Sequence, residues 1–321
     1  NHNVFIGSLS GAANTTGDEL ICIGYQAGYA INHASDADGT VAIGHQSLMD
    51  LTDGEKNVAV GYRTSYNTTT GYGNIAMGYE ALHGDNSTAM TGAYNTAIGY
   101  QSGYDLTDGS YNHLIGYKTG ENLTGGDRNV ALGHAALSSL TTTSDNVAVG
   151  HRALDSYTSG TAVAVGSEAG YNSESGEPIF IGYQSGLNQT TGADNIAIGR
   201  LSQKFNTTGT YNISIGRQSL QGTSGQNHTY NVALGYRSMF SATTASNNIG
   251  IGHQNLYSIT SADSNIAIGT ESGYYISTGH SNTFMGTEAG KTVTTGIKNV
   301  GIGHNVMHDL DSGTNASNSY G

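Results

Sequence analysis

A six-residue module, Asn57-Val58-Ala59-Val60-Gly61-Tyr62, keeps returning along this chain. It recurs as Asn74-Ile75-Ala76-Met77-Gly78-Tyr79, Asn129-Val130-Ala131-Leu132-Gly133-His134 and Asn195-Ile196-Ala197-Ile198-Gly199-Arg200. Aligned on its glycine, the module occurs eighteen times between Gly7 and Gly303, at intervals of 16 to 21 residues and most often 17. A period held from end to end excludes an ordinary globular packing of distinct elements. It predicts a solenoid in which each repeat is one coil stacked on the next.

Each position of the module has its own chemistry. Four residues before the glycine stands Asn in fourteen of eighteen copies, as at Asn57, Asn74, Asn95, Asn129 and Asn195. Stacked corner asparagines can bond to one another above and below, as amide ladders do in layered β structure. Three before the glycine the residue is β-branched in all copies but His113, and one before it is always Ile, Val, Leu or Met. Such alternation is a strand signature, and it suggests that side chains like Val58 and Val60 point into the coil. The residue between them is usually Ala, with Phe5, Cys22, Leu114, Phe180 and Phe284 among the exceptions. An apolar residue on that second face predicts burial there too, by something outside the coil. The glycines, such as Gly61, Gly78, Gly99, Gly133 and Gly199, supply a bend, and Thr-Thr-Gly stretches such as Thr68 to Gly71 supply turns. Tyr or His usually follows the glycine, so Tyr62, Tyr79, Tyr100, Tyr117, His134 and His151 form an expected aromatic column and a candidate surface for binding.

Composition fits this reading. Gly 48, Pro 1 and no Trp suit many short strands joined by turns. Lys+Arg 11 against Asp+Glu 24 leaves a formal charge of −13, with no basic cluster for a phosphate backbone, so a nucleic-acid partner is not expected. Cys22 is the single cysteine and cannot form an intrachain disulfide; it reads as a small buried hydrophobe. No apolar run is long enough to span a membrane. Residues 1–308 read as one continuous solenoid, and 309–321 as a tail or the start of a further segment. No polar cap precedes the first module, which suggests a piece of a longer chain or one unit of a stacked filament. Each coil buries few large side chains for the backbone it must order, so a symmetric homo-oligomer is expected.

The Asn-x-Val-Ala-Ile-Gly type of repeat resembles the head repeats (Hep/Hag-type β-rolls) of trimeric autotransporter adhesins. The longer form, as in Asn188 to Gly199, is similar to repeats of bacteriophage tail fibres and related surface fibres. The resemblance covers essentially the whole chain, although its period exceeds the shorter coil of autotransporter heads. It implies a parallel β-roll, a homotrimer, an extracellular, virion or cell-surface location, and an adhesive or spacing role toward cell-surface glycans or a host receptor.

Chemistry-bearing constellations are sparse. Asp-Leu-Thr-Asp-Gly at Asp50 to Gly54 and at Asp105 to Gly109, echoed by Asp309 and Asp311, offers oxygen ligands of the kind Ca²⁺ takes. It reads first as an Asp-Gly turn, without the calcium nonapeptide or an EF-hand loop. Otherwise no cofactor and no catalytic residue is expected. Among His45, His134, His151, His253 and His304, only His134 and His151 fall in consecutive coils as a metal pair; surface aromatics are the plainer reading. Sequons occur at Asn14, Asn67, Asn86, Asn122, Asn188, Asn206, Asn212, Asn227 and Asn315, as chance allows in a chain this rich in Asn, Ser and Thr. Long coils carry extra residues at Ala30 to Gly39, His83 to Ala93 and Gln221 to Tyr230, either as loop drift or as protruding binding loops. The expected function is a non-enzymatic fibre segment, shaft or adhesive head. A self-assembling filament subunit is the near alternative, and a carbohydrate- or ice-binding solenoid or a polysaccharide lyase or hydrolase the distant ones.

Overall fold

A computed structural model describes residues 2–31, 39–85, 88–223 and 225–308. The chain is all-β, with no helix among the described residues. It forms two compact units, Asn1–Thr161 and Ala162–Gly321. The first carries β1 (Val4–Ile6), β2 (Ile21–Ile23), β3 (Val41–Ile43), β4 (Val58–Val60), β5 (Ile75–Met77), β6 (Thr96–Ile98), β7 (His113–Ile115), β8 (Val130–Leu132) and β9 (Val147–Val149). The second carries β10 (Val163–Val165), β11 (Ile179–Ile181), β12 (Ile196–Ile198), β13 (Ile213–Ile215), β14 (Val232–Leu234), β15 (Ile249–Ile251), β16 (Ile266–Ile268), β17 (Thr283–Met285) and β18 (Val300–Ile302). Within each unit every strand pairs in parallel with the next strand of the chain. The register aligns equivalent residues, Val58 with Ile75 and Ala59 with Ala76. This is a parallel β-solenoid with one short strand per coil.

The rest of a coil stays hydrogen-bonded by an unusual route. Arg63 and Ser65, two and four residues after Gly61, both hold φ near +49°. The N–H of Arg63 donates back to the His45 carbonyl at 2.9 Å, while that of Ser65 donates forward to the Ala81 carbonyl at 2.9 Å. These left-handed residues aim their N–H groups alternately at the coil before and the coil after. The cost of a left-handed L-residue, about 1–2 kcal/mol, is offset by these inter-coil bonds, which pair amides that would otherwise lose water without replacement. The same two positions are left-handed in every coil, for example Gln46 and Leu48 or Gln254 and Leu256.

The inward and outward faces are reversed from the sequence expectation. In β4 it is Ala59 that is fully buried, whereas Val58 and Val60 are only partly covered. The middle residue is buried in every strand from β2 to β18, and its two neighbours never are. The reason is volume. The interior is narrow, and the middle side chain shares it with the residue four places after the glycine. A Cβ on Gly120 would press on Leu114, one on Gly186 on Phe180, and one on Gly290 on Phe284. Beside the small middle residues Ala131, Ala148 and Ala233 the partner position is filled by Leu137, Leu154 and Met239, all fully buried; where both are small, as at Ala97 and Gly103, Leu82 and Leu114 of the adjoining coils reach in. Cys22 belongs to the same set: it faces Gly28, and burial pushes its thiol up to about 12.

Asparagine ladders close one corner. Asn112 donates its backbone N–H (2.9 Å) and its Nδ2 (3.0 Å) to Asn95 Oδ1, and its Nδ2 again to the Gly126 carbonyl (2.8 Å). Its own Oδ1 accepts the same pair from Asn129. Such rungs run through Asn57, Asn74, Asn95, Asn112, Asn129 and Asn146 in the first unit. In the second unit they run from Asn195 to Asn299. The amide column holds the coils in register and ends at Asn299, whose Oδ1 is buried without a partner.

Candidate functional site

Because the interior takes the middle residues, each strand sends its first and third side chains outward, all of them apolar except Thr96, His113 and Thr283. They form two rows, one on each side of the buried column. In the first unit the row ahead of the middle residue reads Val4, Ile21, Val41, Val58, Ile75, Thr96, His113, Val130 and Val147. The row behind it is wholly aliphatic or Met, as at Ile43, Met77, Ile115 and Leu132. Exposure is substantial: Ile75 40%, Met77 41%, Ile213 38% and Ile215 43%. Nine rungs about 4.8 Å apart and roughly 10 Å wide give on the order of 400 Å² of apolar surface per unit. That is as large as the largest patch most soluble monomers expose.

Beside this face, one residue past the glycine, lies the aromatic column. In the first unit Tyr25, His45, Tyr62, Tyr79, Tyr100, Tyr117, His134 and His151 stack in order, with neighbouring centroids 4.9–5.2 Å apart. The six expected surface residues therefore come together as one continuous stack. Partial burial, then the Glu80 carboxylate and the flanking phenols, raise the pKa of Tyr79 above its ordinary value. Ring faces inside the stack are covered by other rings, so the column offers edges and hydroxyls rather than open faces on which a sugar could lie. Arg63 caps Tyr62 at 5.4 Å and Tyr66 at 5.2 Å, tying this stack to the next aromatic position of the coil. Further short stacks, Tyr66–His83–Tyr104 and Phe240–Tyr257–Tyr274, were hidden in the sequence by the varied residues around them.

The other candidate sites resolve as follows. His134 and His151 are stacked at 5.1 Å; their in-plane lone pairs run side by side and do not converge on one ion. Among the described residues no three His, Cys, Asp or Glu side chains gather to hold a metal. Asp50 and Asp105 are half-buried, and burial raises both carboxyls above their usual range. Asp309 and Asp311 lie outside the described residues, as do residues 32–38, 86, 87 and 224 of the long coils and Asn315. Asn206 and Asn212 are fully buried, so neither sequon is accessible. A polar cleft of about 290 Å³ is lined by Ser261, Asp263, Ser264, Thr278, His280 and Ser281; the Asp263 carboxylate is already engaged by the Ser246 N–H at 2.8 Å.

Two long coils fold part of their extra length inward. Met90 is fully buried and accepts the Thr68 hydroxyl on its sulfur. His228 is fully buried, and neither ring nitrogen has a hydrogen-bond partner. Desolvation lowers its pKa from 6.5 to about 4. The folded chain thus binds this proton less readily than the unfolded chain, so stability is whole above pH 6.5 and falls as pH drops from 6.5 toward 4. Urea titrations across that window should show wild type losing about 3 kcal/mol more than His228→Leu. Matching profiles would show that His228 carries no part of the acid sensitivity.

Comparison with protein-family models, with curated proteins and with solved structures gives no match. Classification therefore rests on the repeat itself: the chain is an all-β parallel β-solenoid with turns of about 17 residues, consistent with a β-roll repeat.

Proposed function

We propose that this chain is a non-enzymatic segment of an extracellular fibre, in which three parallel copies pack through their strand faces. The assembled shaft spaces or presents a surface-binding site. The observation that carries this reading is the outward Val/Ile stripe: the coil interior is already filled, and the stripe remains. Its natural complement is a second apolar stripe at the same rung pitch, which another copy of this chain possesses. The roughly 400 Å² of stripe on each unit is apolar surface that packing against other copies would remove from water. Three copies, and a location on a virion or cell surface, follow from the resemblance of the repeat to trimeric adhesin heads and tail fibres. The surplus of carboxylates keeps such a fibre soluble.

Sedimentation of the full chain at micromolar concentration is expected to give three chain masses. The double variant Ile181→Lys, Ile215→Lys places charges in the stripe without touching the interior, and should sediment as one chain with its β-sheet circular dichroism intact. A wild-type monomer at that concentration would overturn the proposal.

A further inference from the structure

We infer that His113 forms a transition-metal site that is completed only by assembly, with the imidazoles of three copies holding one divalent zinc-like cation on the fibre axis. This rests on the parallel trimer proposed above.

The outward strand positions of both units hold Val, Ile, Leu and Met, apart from Thr96, Thr283 and His113. His113 is the one ionisable side chain among them, in a row where every other copy is β-branched. It is exposed, and among the described residues no side-chain hydrogen bond or ion pair engages it. Its register partner on the preceding rung is Thr96, so the two interruptions of the row lie together and form one polar notch. Several other described histidines stack into aromatic columns, as His45 and His134 do, lie inside the coil, as His228 does, or engage a polar neighbour, as His2, His280 and His308 do. His113 does none of these.

Rotational symmetry about an axis along the solenoid brings each residue to the same height as its own counterparts. Every apolar position then meets its like, and His113 meets two more imidazoles inside an apolar seam. Unpaired there, each ring would lose its hydration without replacement, which a seam of this kind does not tolerate cheaply. Three neutral imidazoles meeting from three sides supply three nitrogen ligands, the protein share of a tetrahedral zinc site whose fourth position is left to water. Chelation also joins the chains, so metal binding and assembly support each other. An antiparallel or two-chain arrangement would not bring three copies of this ring together, so metal stoichiometry reports on symmetry as well.

The test uses the full chain and zinc chloride alone. Protein is exposed to the metal, freed of excess by gel filtration, and measured for mass by sedimentation and for zinc content by mass spectrometry. His113→Val, which restores the residue most common in that row, is run beside it. Expected are trimers of both proteins, one zinc per trimer for wild type and none for the variant. Zinc should also raise the thermal dissociation midpoint of wild type only. A trimer that retains no zinc, or equal retention by His113→Val, overturns the metal site and leaves the trimer standing. A monomer overturns both.

Discussion

Gly116→Ala should abolish cooperative folding of the coils around it, although it adds a single methyl group. Gly116 holds φ +139°, a region open to glycine alone, and a Cβ there would overlap the carbonyl oxygen of Gly133 in the next coil. The obstacle is backbone, so no side-chain rotation relieves it. The same contact recurs from Gly61 to Gly78 and from Gly99 to Gly116, which makes the glycine column a line of close backbone approach between coils. Backbone strain of about 1–3 kcal/mol adds to the steric overlap, and the rungs on either side must move apart to admit the methyl group. Gly225 is the matched control. It too has positive φ, at +78°, but a Cβ on it meets nothing within 4 Å. Gly225→Ala should therefore cost only about 1 kcal/mol, the strain of a left-handed alanine. Thermal melts of the two variants should differ widely. Similar melts would show that the glycine column is conserved in geometry for its dihedral angle alone and that inter-coil contact is not limiting.

Much of the coil was legible from the repeat. The glycine, the corner asparagine and the three-residue strand fall where the alignment on Gly61 and Gly78 places them, because each is imposed by contact with its own counterpart one coil away. The tyrosine column was legible for the same reason. Which face lies inside was not. Period-two alternation separates two faces without ranking them, and here both are apolar: Val58 and Val60 on one side, Ala59 on the other. The deciding signal sits four residues after the glycine. Phe5, Cys22, Leu114, Phe180 and Phe284 are each followed by glycine there, at Gly11, Gly28, Gly120, Gly186 and Gly290, while Leu48, Leu82, Leu137 and Leu220 accompany Ala42, Ala76, Ala131 and Ser214. A large residue at one position and none at the other is the mark of a shared space. The inward turn of His228 and Met90 had no comparable signal, since each occurs in one irregular coil. The left-handed residues after the glycine escaped notice because Gln, Arg, Glu and Leu occupy them, types that carry no turn signal; their dihedrals are imposed by hydrogen bonds to neighbouring coils.

The outward stripe, and with it the assembly and the His113 site, depends on the middle residue facing inward. A double-mutant cycle on Phe180 and Gly186 addresses that directly. Phe180→Ala should cost about 3–5 kcal/mol by leaving a cavity. Gly186→Leu should be at least as damaging, since its Cβ alone would overlap the Phe180 ring. Leucine is otherwise acceptable at this position: Leu137 and Leu154 hold it at φ 53° and 52° beside Ala131 and Ala148. The double variant recreates that native pair, so Phe180→Ala should rescue Gly186→Leu, with a coupling of about 3 kcal/mol between the two sites. Additive losses, with no rescue, would mean that the two side chains do not share the coil interior and that the inward and outward faces have been assigned the wrong way round.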